Sequence, residues 1–203
     1  MKAFTAGIDE AGRGPLAGPV VAAAVILRPW ARLPGLADSK LLTPEEREEL
    51  APRIRAAAVA WAVGWADVAE IDTLDILQAT FLAMRRALLA LGRAPRHVQI
   101  DGPLAPSLEG LGFSCSCETI VDGDESIPVI SAASVLAKTW RDAWMTVAER
   151  HFPGYGFAQH KGYGTEQHLA ALAALGPSPL HRTTFAPVAR LCGSAVAAVD
   201  LEA

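Results

Sequence analysis

Residues 7–19, Gly7-Ile8-Asp9-Glu10-Ala11-Gly12-Arg13-Gly14-Pro15-Leu16-Ala17-Gly18-Pro19, read as a short apolar strand that ends in two adjacent carboxylates. The chain then turns through glycines around one arginine. Carboxylates at a strand's end suit a hard, oxygen-seeking cation. Glycine backbone beside them lets a phosphate or sugar approach with no side chain in the way. A cation site next to a close backbone approach points to chemistry on a nucleotide or polynucleotide. Taken alone, the stretch reads equally well as a charged turn after a buried strand.

Compatible pieces recur along the chain. Asp38-Ser39-Lys40 follows the second strand, and Ile100-Asp101-Gly102 closes a later one. Gly123-Asp124 precedes Ile130-Ser131-Ala132-Ala133-Ser134-Val135-Leu136-Ala137-Lys138 and Arg141-Asp142. Further on lie Tyr155-Gly156-Phe157, His160-Lys161-Gly162-Tyr163-Gly164-Thr165 and His181-Arg182-Thr183-Thr184-Phe185.

The rest of the sequence bounds what these pieces can do. With 203 residues, 51% hydrophobic and 20% charged, the chain has the composition of a soluble globular protein able to bury a sizeable core. No apolar run approaches the ~20 residues of a membrane span. The N-terminus enters a strand directly, without the apolar core of a signal peptide, so a cytoplasmic location is expected. A net charge of −4 argues against a general nucleic-acid binder. Cations bound among the acids would reverse that sign locally. Cys115 and Cys117 alternate as on a strand and, with Cys192, lack the partners of a metal site, so reduced core cysteines are expected. The five tryptophans, Trp30, Trp61, Trp65, Trp140 and Trp144, read as core or helix-packing residues and not as base-stacking platforms. His160, His168 and His181 are too irregularly spaced for a metal set.

Alternation and apolar runs predict strands over residues 3–9, 19–27, 58–66, 97–101 and 113–119. Thr43-Pro44-Glu45-Glu46 carries an N-cap, a proline at the first helical position and a capping-box glutamate, which predicts a helix to about residue 57. Thr73 is expected to cap a helix over 74–91, with Ile76, Leu77 and Met84 in the core and Gly92 ending it. A long helix follows Pro128 to about residue 150, and Thr165 caps another that ends near Gly176. Beyond Pro187 a short helix and a loose tail are equally compatible with the sequence. The order describes a mixed α/β sheet flanked by helices, with no domain boundary.

Phosphodiester cleavage needs an activated water, charge stabilisation at phosphorus and help for the departing oxygen. Two divalent cations about 3.5–4 Å apart supply all three, and a dense carboxylate cluster must hold them. Asp9, Glu10 and Asp101 end strands whose carboxyl ends meet in one crevice if the strands are parallel neighbours. Asp122, Asp124 and Asp142 compete for a fourth place. Gly12-Arg13-Gly14 can present backbone N–H and C=O to a ribose 2′-hydroxyl, the group that separates RNA from DNA. Lys40, Arg47, Lys138, Lys161 and Arg182 are placed to meet phosphates.

Taken together and in this order, the pieces resemble ribonuclease HII, the bacterial type 2 ribonuclease H, from about Gly7 to Pro187. The resemblance implies an α/β, ribonuclease H-like fold: a central five-stranded mixed sheet flanked by helices. A helical C-terminal part from about residue 152 and a tail after about 190 would complete a single catalytic domain, 1–203. It selects Asp124, the acid shortly before Ser-Ala-Ala-Ser, as the fourth carboxylate, with Asp142 in reserve. It assigns 2′-hydroxyl recognition to Gly12-Arg13-Gly14 working with Tyr163. It further implies two Mn²⁺ or Mg²⁺ ions held by Asp9, Glu10, Asp101 and Asp124. The expected substrates are RNA–DNA hybrids and duplex DNA containing single ribonucleotides, cut 5′ of the ribonucleotide by a monomer. One departure stands: the family pattern carries Asn where this chain has Asp75, outside the catalytic matches. The rival from another class is a non-catalytic hybrid-binding module on the same fold.

Overall fold

The structure, a computed structural model, describes residues 4–36 and 42–199; Asp38, Ser39 and Lys40 lie outside them. The first strand, β1 (Thr5–Ala11), forms the centre of a five-stranded sheet. It pairs antiparallel with β2 (Val20–Leu27), which pairs antiparallel with β3 (Ala58–Ala66). On its other side β1 pairs parallel with β4 (His97–Asp101), and β4 pairs parallel with β5 (Ser116–Ile120). The resulting order is β3-β2-β1-β4-β5. The predicted strands are all present, with the first and last displaced toward the C-terminus by two or three residues at their starts.

Helices cover both faces because strand side chains alternate. One face (Ala6, Ile8, Val20, Ala22, Ala24 and Ile26) packs on α3 (Ile76–Ala90). The other (Ala11, Val21, Ala23 and Val25) packs on α1 (Pro44–Ala57) and the long α5 (Pro128–His151). The approach of α5 is close at one point: a Cβ added to Gly7 would lie 2.2 Å from the Val129 carbonyl carbon. Only glycine lets the helix cross β1 there, which fixes the height of α5 against the strand that carries Asp9.

The helical caps account for the elements read best. Thr43 accepts from Glu46 N–H while the Glu46 carboxylate accepts from Thr43 N–H, as the sequence predicted. Between β3 and α3 the expectation needs correcting. A separate helix, α2 (Val68–Leu74), is capped by Asp67 with Glu70 completing its box, and Thr73 lies inside it, donating to Ala69 C=O. Asp75, at φ 71, is the true cap of α3 and accepts from Leu77 and Gln78 N–H. Asp and Asn both have the short side chain such a cap needs, which gives the one departure from the family pattern a conservative meaning. Met84 is core and Ile76 packs against it, as expected.

After β5 come a single turn, α4 (Gly123–Ser126), and then α5. The C-terminal part consists of α6 (Phe157–His160), α7 (Glu166–Leu175) capped by Thr165, and α8 (Ala186–Val199). The chain beyond Pro187 is therefore helical through Val199.

The expectation of core cysteines fails, and the tryptophans divide between exposed positions and helix packing. Cys117 is exposed on β5, a short edge strand with little cover, and Cys115 and Cys192 are only half-buried. Trp30, Trp61 and Trp65 are also exposed, the last two on the outer strand β3. Trp65 stacks on Trp140 at 5.3 Å, so these rings cover one another on the surface of α5 instead of filling the core. Among the described residues no helix is long and apolar enough to cross a membrane.

Candidate active site

The parallel pairing of β1 with β4 aligns Ile8 with Ile100, so the next residues, Asp9 and Asp101, emerge side by side at the carboxyl ends of neighbouring strands. Both are turned to the α5 face. There the Ser134 hydroxyl hydrogen-bonds the Asp9 carboxylate, and Asp9 Oδ1 accepts the Glu10 N–H at 2.7 Å. Asp9 is buried, and burial, followed by the charges of Glu10 and Asp101, pushes its pKa well above the usual carboxylate range. Glu10 is raised as well, by burial, with Arg13 pulling it back through an ion pair at 3.2 Å.

Asp124 reaches the same place from the other side of the crevice. It is buried in α4, and its N–H donates to Asp101 Oδ1 at 3.3 Å. The Ser131 hydroxyl donates to the Asp124 carbonyl at 2.6 Å. The Ser-Ala-Ala-Ser segment thus has a mechanical meaning. Its serines grip Asp124 and Asp9, and its alanines are small enough to let α5 lie on the sheet. The competing acids are placed elsewhere. Asp142 is tied to Lys138 at 2.8 Å, and Asp122 is exposed in the left-handed turn before α4.

These groups fit a divalent cation by their chemistry. All are hard oxygen donors, and Glu10 Oε2 is buried without a hydrogen-bond donor among the described residues, an expensive condition that a cation relieves. Among the described residues no three such groups already converge into a ready-made cage.

The glycine loop that follows β1 is held from behind by two fully buried arginines. Arg182 donates to the carbonyls of Gly12 (2.6 Å), Arg13 (2.9 Å) and Gly18 (3.0 and 2.8 Å). Arg141 donates to those of Ala17, Pro19 and Lys161, each at 3.0 Å. Arg182 is therefore no phosphate contact: its donors are spent on the loop backbone, and burial together with Arg141 lowers its pKa to about 9. Because the Gly12 and Arg13 carbonyls turn inward to it, the loop has N–H groups left for a ligand more readily than C=O. The glycines differ. At Gly12, φ is +94° and an added Cβ would lie 2.0 Å from Arg141 Nε; at Gly14 the nearest atom would be Tyr163 Cε1 at 3.9 Å. Gly12 is required by the arginine behind it, whereas Gly14 borders open space beside Tyr163.

Tyr163 is 43% exposed, with Lys138 Nζ 5.6 Å from its ring centroid. The structure thus brings together Asp9, Glu10, Asp101 and Asp124 in one group and the glycine loop, Tyr163 and Lys138 in an adjoining one. Arg47 and Lys161 line a shallow cleft with Asp142 between α1 and α5; Lys161 Nζ donates to Thr146 Oγ1 and Ala158 C=O. Lys40 lies outside the described residues. Sequence reasoning missed the positioning roles of Arg141, Ser131 and Ser134. Arg141 carried a signal: it falls on the apolar stripe of α5, at helical spacing between Ala137 and Met145.

A five-stranded mixed sheet whose parallel central pair ends in carboxylates, flanked by helices and closed by a helical C-terminal part, is the ribonuclease H-like arrangement, a class of nucleases. The ribonuclease H2 of Pyrococcus horikoshii OT3 superposes with a TM-score of 0.78 and 26% identity, over 93% of this chain and 96% of that one. The ribonuclease HII of Archaeoglobus fulgidus, solved in complex with PCNA, gives 0.74 and 27% over 90% and 95%. The family model for Ribonuclease HII matches residues 6–188. A curated Ribonuclease HII from Bordetella pertussis is 55% identical over 93% of this chain and 91% of its own. One from Nitrosospira multiformis is 56% identical over 93% and 92%. The chain belongs to the ribonuclease HII family and is a type 2 ribonuclease H.

Proposed function

We propose that the protein is a metal-dependent endoribonuclease. It hydrolyses the phosphodiester on the 5′ side of a ribonucleotide, in RNA–DNA hybrids or at single ribonucleotides within duplex DNA. The observation that carries this reading is the meeting of Asp9, Glu10, Asp101 and Asp124 at the joined ends of β1 and β4, beside a backbone loop freed of side chains. Those acids would hold one or two Mg²⁺ or Mn²⁺ ions, which supply an activated water and neutralise charge at phosphorus. Mn²⁺ is the ion present in the solved Bst ribonuclease HIII, which shares the fold.

The remaining work belongs to this chain's own groups. Water oxygen bonds to phosphorus, the bond to the preceding O3′ breaks, and that oxygen takes a proton. The ends are a 3′-hydroxyl and a 5′-phosphate on the ribonucleotide. Gly12-Arg13-Gly14 reads the 2′-hydroxyl through N–H groups, since the Gly12 and Arg13 carbonyls are bound by Arg182. The exposed Tyr163 ring stacks on the neighbouring sugar, and Lys138, Arg47 and Lys161 face phosphates of the strands. In this reading residues 1–203 act as a single catalytic domain, monomeric and cytoplasmic.

A labelled RNA–DNA hybrid incubated with purified protein tests the reading. Cleavage is expected with Mg²⁺ or Mn²⁺ and none after chelation. Tight hybrid binding without cleavage under any divalent cation would instead identify a binding module.

A further inference from the structure

His160, His168 and His181 form a buried cluster directly behind Tyr163 that the chemistry above does not use. The rings of His160 and His168 stack at 4.4 Å, and His168 Nε2 lies 3.0 Å from His181 Nε2. Phe157 packs against all of them, edge-on to two.

Hydrogen-bond chemistry fixes where each proton sits, because a backbone carbonyl only accepts and an amide N–H only donates. His168 Nδ1 faces the Tyr163 carbonyl at 2.9 Å, so it carries the hydrogen and leaves Nε2 as an acceptor. His181 must then donate from Nε2 to His168. Its Nδ1 is accordingly an acceptor, and it receives the Ser178 N–H and hydroxyl, each at 2.9 Å. His160 is fixed in the same way: Nε2 donates to Tyr155 C=O at 2.7 Å, and Nδ1 accepts the Gly162 N–H at 3.2 Å. Every ring nitrogen is used, every ring is neutral, and the chain runs one way, from Ser178 through His181 and His168 to the Tyr163 carbonyl.

We propose that this directed chain of neutral histidines is the device that positions Tyr163, with His168 and His181 acting as positioning residues for recognition of the ribonucleotide. The proposal rests on the reading of Tyr163 as a substrate residue. An added proton disrupts the chain at either ring. On His181 it would oppose the Ser178 N–H and force the Ser178 hydroxyl to turn and accept, and on His168 it would oppose the His181 N–H. Burial, then the neighbouring histidines, lowers the pKa of His168 and takes that of His181 from 6.5 to about 4. The charged groups on the packed elements are turned to other partners. Arg141 and Arg182 hold the glycine loop, Lys161 binds Thr146, Glu149 accepts from Gly154 N–H, and Glu166 and His151 are exposed. Tyr155 donates to Gly176 C=O.

The sign follows. The unfolded chain takes up protons below its ordinary histidine pKa, while His168 and His181 in the fold take them up only at lower pH. Stability is therefore full above pH 6.5 and is lost progressively as the pH falls toward about 4.

Two substitutions at His168 separate positioning from mere packing. His168→Asn keeps a donor where Nδ1 stood; His168→Gln puts its amide at the Nε2 side and removes that donor. The readout is the ratio of kcat/KM on a lone ribonucleotide in duplex DNA to that on a long hybrid, with Tyr163→Ala as reference. We expect Tyr163→Ala and His168→Gln each to lower the ratio by about fivefold or more and His168→Asn to stay within about twofold of wild type. An unchanged ratio in His168→Gln alongside a lowered one in Tyr163→Ala would overturn the relay and leave the substrate reading standing. An unchanged ratio in Tyr163→Ala would remove the substrate reading itself. Ring ¹⁵N shifts of the wild-type protein give a test independent of any variant: at neutral pH His168 should be the Nδ1–H tautomer and His181 the Nε2–H tautomer. The opposite tautomer at either ring would contradict the proposal.

Discussion

The acidic crevice and the loop support behind it are both buried and both rich in ionisable groups, yet their charges are met in opposite ways. In the crevice, Asp9 has burial and the charges of Glu10 and Asp101 against it, Glu10 has burial and the charge of Asp101, and Glu10 Oε2 has no donor among the described residues. In the support, Arg141 and Arg182 have their donors on named carbonyls, and each histidine nitrogen has its partner. A site completed by something from outside is built at a cost to the fold, whereas a site that aims a loop must be complete by itself. The two regions should therefore answer substitution differently: the crevice in activity, the support in stability.

The largest effect belongs to the crevice. Asp101→Asn should reduce cleavage by about a thousandfold, roughly 4 kcal/mol of barrier. In cation-free buffer it should leave the melting temperature unchanged or raised, because a repelling charge is gone. A matching loss of stability, measured by thermal unfolding, would erase the contrast. Next comes the fourth carboxylate. Asp124→Asn should lower turnover by about a hundredfold, while Asp142→Asn, which only frees Lys138, should stay within about threefold. The opposite ranking in side-by-side kinetics would move the role to Asp142.

In the support, Arg182→Met strands the carbonyls of Gly12, Arg13 and Gly18. At about 1–3 kcal/mol for each buried group left unsatisfied, a loss of at least about 3 kcal/mol is expected in urea unfolding. Wild-type stability would mean that the loop is held by something else. The smallest effect sharpens the comparison within the loop itself. Gly12→Ala meets Arg141 and a positive φ, so it should lower both stability and cleavage; Gly14→Ala, with 3.9 Å of clearance, should leave the melting temperature alone. Any loss of cleavage in Gly14→Ala then reports room for the nucleotide and nothing about folding.

Much of this was legible in the residues. The Thr43-Pro44-Glu46 signal placed α1 to the residue, since a capping box acts locally. The strands ending in Asp9 and Asp101 showed their apolar runs, and ordered motifs made the crevice readable before any coordinates. The helix α2 was readable and missed: Asp67 and Glu70 spell the same box as Thr43 and Glu46. The exposure of Trp61 and Trp65 was not legible, because hydrophobicity does not reveal that β3 is an edge strand, an outcome of pairing across the whole sheet. Arg182 misled for a stronger reason. Its partners lie 164 to 170 residues earlier, and no local pattern distinguishes an arginine that will grip a loop from one that will meet a phosphate.

The most direct test of the account compares two duplexes that differ by one oxygen: DNA with a single ribonucleotide and the same sequence all in deoxy form. A single cut 5′ of the ribonucleotide is expected, with 3′-hydroxyl and 5′-phosphate ends, in Mg²⁺ or Mn²⁺ only, and an uncut all-DNA duplex. Equal cutting of both duplexes, or cutting that survives chelation, would contradict the account.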